Sequence, residues 1–275
     1  MAWEYENILA DRPGIAPSCR TMLTRTLEPE IMDTPDEARD YDAMDHASVN
    51  ATFCDDVLAF AERCGKRPPF GDSARVFAER CGKRPPFGDS ARVIDFGTGT
   101  AQIPIALCAR ATGFTVVAID LAESMLAIAQ RNVAKAGLGD RVRLEKVDAK
   151  GTTFADGTFS ACISNSIVHH IPEPAQGFAE MWRVTARGGL IFVRDLHRPA
   201  SELEVEDLVS RYGGTAPAES SLVASFEHQR GLLRASLCAS LTVAEVAAMV
   251  APLGIPASAV ARTSDRHWTL AFEKP

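Results

Sequence analysis

Between residues 93 and 107 the chain reads VIDFGTGTAQIPIAL. A short apolar run reaches Asp95, turns through Gly97, Thr98 and Gly99, and continues as an apolar helix. A buried strand that passes through a glycine turn into a helix is the opening unit of an open α/β sheet. Glycine at the turn lets a ligand approach the backbone.

The same alternation continues downstream. Apolar runs at Val116–Ile119, Val142–Val147, Ala161–Ser164 and Leu190–Val193 are separated by amphipathic stretches, which implies parallel strands joined by crossover helices. After Pro199 the pattern predicts helices over 202–212 and 220–233. A capping box at Thr242 and Glu245 opens a further helix that ends near Pro252. Residues 257–262 and 268–273, around a turn at Asp265, read as a β-hairpin at the sheet edge. The expected fold is therefore α/β: a Rossmann-like, mostly parallel seven-stranded sheet with helices on both faces, an antiparallel C-terminal hairpin, and helical N-terminal and lid segments. Two regions follow from this pattern, an N-terminal helical segment over 1–92 and a Rossmann-like domain over 93–275 with a helical lid insertion at about 196–240.

Upstream of residue 93, Thr34, Pro35 and Glu37 supply a capping residue, a first-turn proline and a capping-box glutamate. A second helix is expected over 48–63. The stretch FAERCGKRPPFGDSARV occupies 60–76 and is repeated without change at 77–93. Solenoids need more copies, so the repeat reads as a duplication forming a surface insertion. Its Lys66, Arg67, Lys83 and Arg84 read as part of a solvated, Pro-rich loop.

Composition narrows the function. The chain has 275 residues, 46% hydrophobic and 24% charged, with a net charge of -7. That charge repels a polyanion and disfavours extended nucleic-acid contact. No apolar run approaches the ~20 residues of a membrane span. The N-terminus carries Trp3, Glu4 and Glu6 rather than a basic and then apolar pattern, so the expected compartment is the cytoplasm. Seven dispersed cysteines lack CxxC or zinc-ligand spacing and are expected as reduced thiols. No metal site is indicated.

Four strand ends carry polar groups. Asp95 ends the first, Asp120 the second at roughly the 20-residue separation where an acid meets a ribose diol, Asp148 the third, and Ser164 and Asn165 the fourth. All converge on the sheet edge where open α/β folds bind ligands. A dinucleotide fingerprint wants a small residue where Gln102 stands, and no YxxxK pair follows the fourth strand. A nicotinamide-dependent oxidoreductase is thus the alternative rather than the leading reading.

The order DFGTGT, a strand ending in Asp120, VDA at 147–149, SNSIVHHIPEP at 164–174 and a strand after Gly188 and Gly189 resembles the class I methyltransferases that use S-adenosylmethionine (SAM). It is most similar to the group containing ubiquinone and menaquinone C-methyltransferases. A non-catalytic regulatory protein that binds SAM is another alternative. The resemblance covers roughly residues 93–193. It implies that Gly97, Thr98 and Gly99 line the methionine part of SAM, with Asp95 holding the loop and facing the amine. Asp120 would bind the ribose, Leu121 would pack by the adenine, and Asp148 and Ala149 would meet its edge. Asn165 would sit near the transferable methyl, and Tyr41 would be an aromatic contact from the upstream helix. The implied partner is a small-molecule methyl acceptor whose reacting atom, like the oligomeric state, is not specified by the sequence.

Candidate acceptor-side residues are His169 and His170 as a base, and Asp195 and His197 after the fifth strand. In the same position Arg198 would bind a carboxylate or phosphate of the substrate; the alternative is that Arg194 and Asp195 simply pair with each other. His46 is a further lid contact, while His228 and His267 are expected in structural or surface roles. The nucleic-acid amino-methyltransferases carry Pro-Pro-aromatic after the fourth strand, where this chain has Asn165, Ser166 and Ile167.

Overall fold

A computed structural model describes residues 23–31, 33–44, 46–65, 91–111, 113–216, 219 and 223–275. Most of the duplication, including all four of its lysine and arginine residues named above, lies outside the described residues, as do Cys19, Cys81 and the start expected for the helix at 220.

Helices α1 (Pro35–Ala43) and α2 (Ala47–Arg63) precede strand β1 (Ala91–Phe96). The alternating core follows: α3 (Gln102–Arg110), β2 (Phe114–Asp120), α4 (Glu123–Lys135), β3 (Val142–Lys146), β4 (Phe159–Asn165), α5 (Pro174–Val184) and β5 (Thr185–Leu196). Two helices, α6 (Glu202–Tyr212) and α7 (Val223–Ala239), are inserted before α8 (Val243–Val250), and β6 (Val260–Arg262) and β7 (His267–Glu273) close the chain. The strands form one seven-stranded sheet in the order β3-β2-β1-β4-β5-β7-β6. The first five are parallel and β7 runs antiparallel to both β5 and β6. Strand β5 is longer than its apolar run because it pairs from Leu190 to Leu196 with the whole of β7.

Val142, Val116, Val93, Ala161 and Leu190 lie in one row across the parallel strands. Successive residues of a strand face opposite sides, and the core divides accordingly. Val93, Val116, Ala118, Ile163 and Phe192 share one cluster with Phe53 of α2, Leu107 of α3 and Val133 of α4. Ile94, Val117, Ile119, Cys162 and Ile191 share the other with Phe178 and Met181 of α5 and Val246 of α8. Burial on both faces explains why these strands read as continuous apolar runs.

The upstream helices are joined to this core. The Thr34 hydroxyl accepts the Glu37 amide at 3.2 Å while Glu37 Oε2 accepts the Thr34 amide at 3.0 Å, so α1 starts at its capping box. Ala38 and Tyr41 then pack on Met125 and Ile128 of α4. Thr242 and Glu245 cap α8 in the same way. Helices α6 and α7 leave the sheet after Leu196 and return at Leu241, which bridges His197, and they pack through Val205, Leu208 and Leu237. Residues 23–31 form a strap beside them, with Leu23 against this small core. Among the described residues no helix is long and apolar enough to cross a membrane.

Candidate functional site

The C-terminal ends of β1, β2 and β4 open onto a cleft with a cavity volume of about 110 Å3. Its floor is the glycine turn. The amides of Gly97 and Thr98 both donate to the Ile119 carbonyl at 2.9 Å, which hangs the turn from β2. Gly97 and Gly99 take left-handed φ of +69° and +55°. A Cβ on Gly97 would lie 2.0 Å from Ile167 Cδ1, and one on Gly99 would lie 3.4 Å from the Tyr41 ring. Gly97 needs glycine both for conformation and for space, and Gly99 for conformation.

Asp120 props the turn from the neighbouring strand. Its Oδ2 accepts the Gly99 amide at 2.8 Å and its Oδ1 the Ala122 amide at 2.9 Å. Burial raises its pKa against those two bonds. Each oxygen keeps a further lone-pair direction for a ligand hydroxyl.

The remaining sequence candidates divide by position. Tyr41, Gly97, Gly99, Asp120, Leu121, Asp148, Ala149 and Asn165 line the cleft, whereas Asp95 and Thr98 are buried behind the floor. Asp95 is 2% exposed and its Oδ2 has no hydrogen-bond partner. Burial pushes its pKa up to about 7, with the Thr98 hydroxyl pulling down and the Asp120 charge pushing further up. Burial and the carboxylates of Asp120, Asp95 and Asp42 push the Tyr41 phenol up to about 12. Asp148 forms an Asx turn by accepting the Lys150 amide at 2.8 Å, and Lys150 bridges it to Glu30 of the strap. Of the two residues ending β4, Asn165 reaches the cleft, while the Ser164 hydroxyl is buried and donates to the Phe96 carbonyl. Gln102 ties helices together: it accepts from Asn50 of α2 and donates to Asp42 of α1.

A second group lies at one side of the cleft. His169 is buried, and its Nδ1 is 2.5 Å from Asp195 Oδ1. The Asp195 carboxylate also accepts the amides of Val168, His169 and Leu196. Burial alone would lower the His169 pKa, but the Asp195 and Glu28 carboxylates outweigh it and the net shift is upward. Asp195 itself is held low, because His169 and the amide bonds overcome the penalty of burial. His170 stacks on His169 with ring centroids 4.3 Å apart and lines the cleft; burial and the His169 charge push it down to about 4. Glu28 of the strap meets both rings.

Three expectations are corrected here. Arg194 does not pair with Asp195: adjacent strand residues face opposite ways, so Arg194 bonds Asp56 of α2 at 2.6 Å while Asp195 turns to His169. Arg198 is 6% exposed, bonds Glu245 and the Ser240 carbonyl, and is not among the residues that line the cleft. His197, a candidate for the acceptor side, is not among the residues that line the cleft; burial and nearby Arg262 lower its pKa at the base of the inserted helices. His46 packs on Tyr41, His228 is exposed, and His267 bonds Ser264 in the hairpin. Sequence reasoning did not find Glu30 and Ile31 on the strap, or Met125 and Ile167, as cleft residues. Ile167 sits within the SNSIVHH motif and was the one with a local signal. Cys54, Cys64, Cys108, Cys162 and Cys238 are free thiols.

The sheet order and a strand-end cleft over a glycine turn define the class I SAM-dependent methyltransferase fold. A crystal structure of a SAM-dependent methyltransferase from Aquifex aeolicus shares it with a TM-score of 0.52 at 18% identity, covering 86% of this chain and 97% of that one. Residues 93–189 match the family described as a methyltransferase domain. The demethylmenaquinone methyltransferase of Thermus thermophilus is 35% identical over 106 residues, which is 38% of this chain and 47% of that protein. The phosphatidylethanolamine N-methyltransferase of Cereibacter sphaeroides is 32% identical over 124 residues, 44% of this chain and 60% of the relative. The chain spans about half the length of the first of these curated relatives.

Proposed function

We propose that the chain transfers a methyl group from SAM to a small-molecule acceptor. The observation that carries this reading is the convergence of Gly97, Gly99, Asp120, Asp148 and Asn165 on one cleft within a methyltransferase domain. The donor set suits the cofactor. Asp95 backs the glycine turn with a buried carboxylate oxygen that has no hydrogen-bond partner, and Asp120 has lone pairs left for a ribose diol. Asp148 and Ala149 would flank the adenine with Leu121, Tyr41 would close over Gly99, and Asn165 would face the reacting end.

Bound SAM supplies an electrophilic methyl group. The protein's share is then to hold the acceptor in line with it and to exclude water, and alignment of this kind accounts for much of the rate of such a displacement. The strap and the inserted helices at 196–240 act as the cover in this reading, with 1–92 as the upstream helical segment, and His169, His170 and Asp195 stand on the acceptor side. The reaction is assigned to the cytoplasm, in keeping with the free thiols.

The test is calorimetric titration with S-adenosylhomocysteine and with NAD, on the wild type and on Asp120→Ala. Micromolar binding of S-adenosylhomocysteine alone, lost in the variant, is expected; a preference for NAD would overturn the reading.

A further inference from the structure

Glu28, His169 and His170 each offer a ligand atom, and these atoms all lie within 4.8 Å of one another. Glu28 Oε1 is 3.4 Å from His169 Nε2 and 3.6 Å from His170 Nδ1. A charge-assisted N–H···O bond is shorter, at about 2.7–2.9 Å. The two Glu28 separations instead lie near the edge of a tetrahedron around one ion, which for bonds of about 2.0–2.1 Å comes to about 3.3–3.4 Å.

The Glu28 carboxylate has the burial of a ligand. Its side chain is 9% exposed and Oε1 has no hydrogen-bond partner, the two imidazoles being its ion-pair neighbours at 3.4 and 3.6 Å, a costly state for a buried acid. Arg25, on the same strap, does not supply a cation: its guanidinium donates to the carbonyls of Ala239, His169 and Ile171. Behind His169, Asp195 holds Nδ1 at 2.5 Å and so leaves Nε2 turned to Glu28, the carboxylate–histidine arrangement that orients metal-bound imidazoles. His170 Nδ1 also lies 3.3 Å from the Pro29 carbonyl, a long contact that an ion would replace.

We propose that Glu28, His169 and His170 form a site for a divalent first-row transition metal ion, with Asp195 positioning His169. Two imidazoles and one carboxylate suit Zn2+, Fe2+ or Co2+. The ion would fasten the strap to the turn after β4, at the edge of the cleft that His170 lines.

Protein stripped with EDTA and then dialysed against Zn2+ tests this by metal content and competition with a chelating dye. One Zn2+ per chain is expected. Glu28→Gln, which keeps the shape of the strap residue, and His170→Ala should each weaken binding at least tenfold, and Asp195→Asn by about 10–100-fold. Co2+ should give the visible bands of a tetrahedral nitrogen and oxygen site without thiolate charge transfer. The proposal fails if the wild type holds no more Zn2+ than Glu28→Gln and His170→Ala, or if Co2+ shows thiolate ligation. S-adenosylhomocysteine titration of the same samples keeps this outcome separate from that of the methyl-transfer reading, since neither measurement depends on the other.

Discussion

Gly97→Ala tests the floor of the cleft and the reason for its glycine together. The residue has φ +69°, and a left-handed conformation costs a residue with a Cβ about 1–2 kcal/mol. The new methyl would also stand 2.0, 2.7 and 2.8 Å from three atoms of Ile167. Because one of these is the Ile167 Cβ, rotation of the side chain alone does not clear the contact. Overpacking of this kind costs about 1–3 kcal/mol, so the total loss should be about 2–5 kcal/mol.

The two parts separate in a cycle with Ile167→Ala, read by urea unfolding. The double variant should recover the clash with Ile167 Cδ1 and Cγ1 and leave the Cβ contact and the backbone part, giving a coupling of up to about 1–3 kcal/mol. S-adenosylhomocysteine affinity should fall at least about tenfold in Gly97→Ala, which corresponds to about 1.4 kcal/mol. Additivity of the two substitutions within about 0.5 kcal/mol would refute the packing of Ile167 on Gly97. Unchanged affinity would refute the place of the glycine turn at the cofactor site.

Two further outcomes follow from burial. The folded-state pKa of Asp95 stands at about 7 against an ordinary 3.8. Between these values the folded protein keeps a proton that the unfolded chain has released, so stability should fall as pH rises from about 4 to 7, by about 4 kcal/mol in all. Denaturant midpoints at pH 5 and pH 8 should show that fall in the wild type and a smaller one in Asp95→Asn; equal slopes would remove Asp95 as its source. Phe53 of α2 is fully buried and edge-on to Phe192 with centroids 5.5 Å apart. Phe53→Ala should cost about 3–5 kcal/mol by the same unfolding assay, and a loss under about 1 kcal/mol would mean that α2 is not part of the sheet core.

What the sequence determined by itself was local in origin. The glycine turn at 97–99, the five apolar runs and the capping boxes at Thr34 and Thr242 each depend on residues within a few positions of one another, and such signals survive in one dimension. Asp120, Asp148 and Asn165 were legible as site residues because a parallel sheet brings every strand end to the same edge.

Tertiary structure alone decided the rest. Arg194 and Asp195 are neighbours in sequence, yet the pleat sends one to Asp56 and the other to His169. Arg198 reads as a ligand-binding cation until Glu245, on a later helix, neutralises it in a buried position. Glu28 carries no motif, and only the path of the strap over the turn after β4 brings it to His169 and His170. These partners are far apart along the chain, and burial then gives a carboxylate or an imidazole properties that no nearby residue announces.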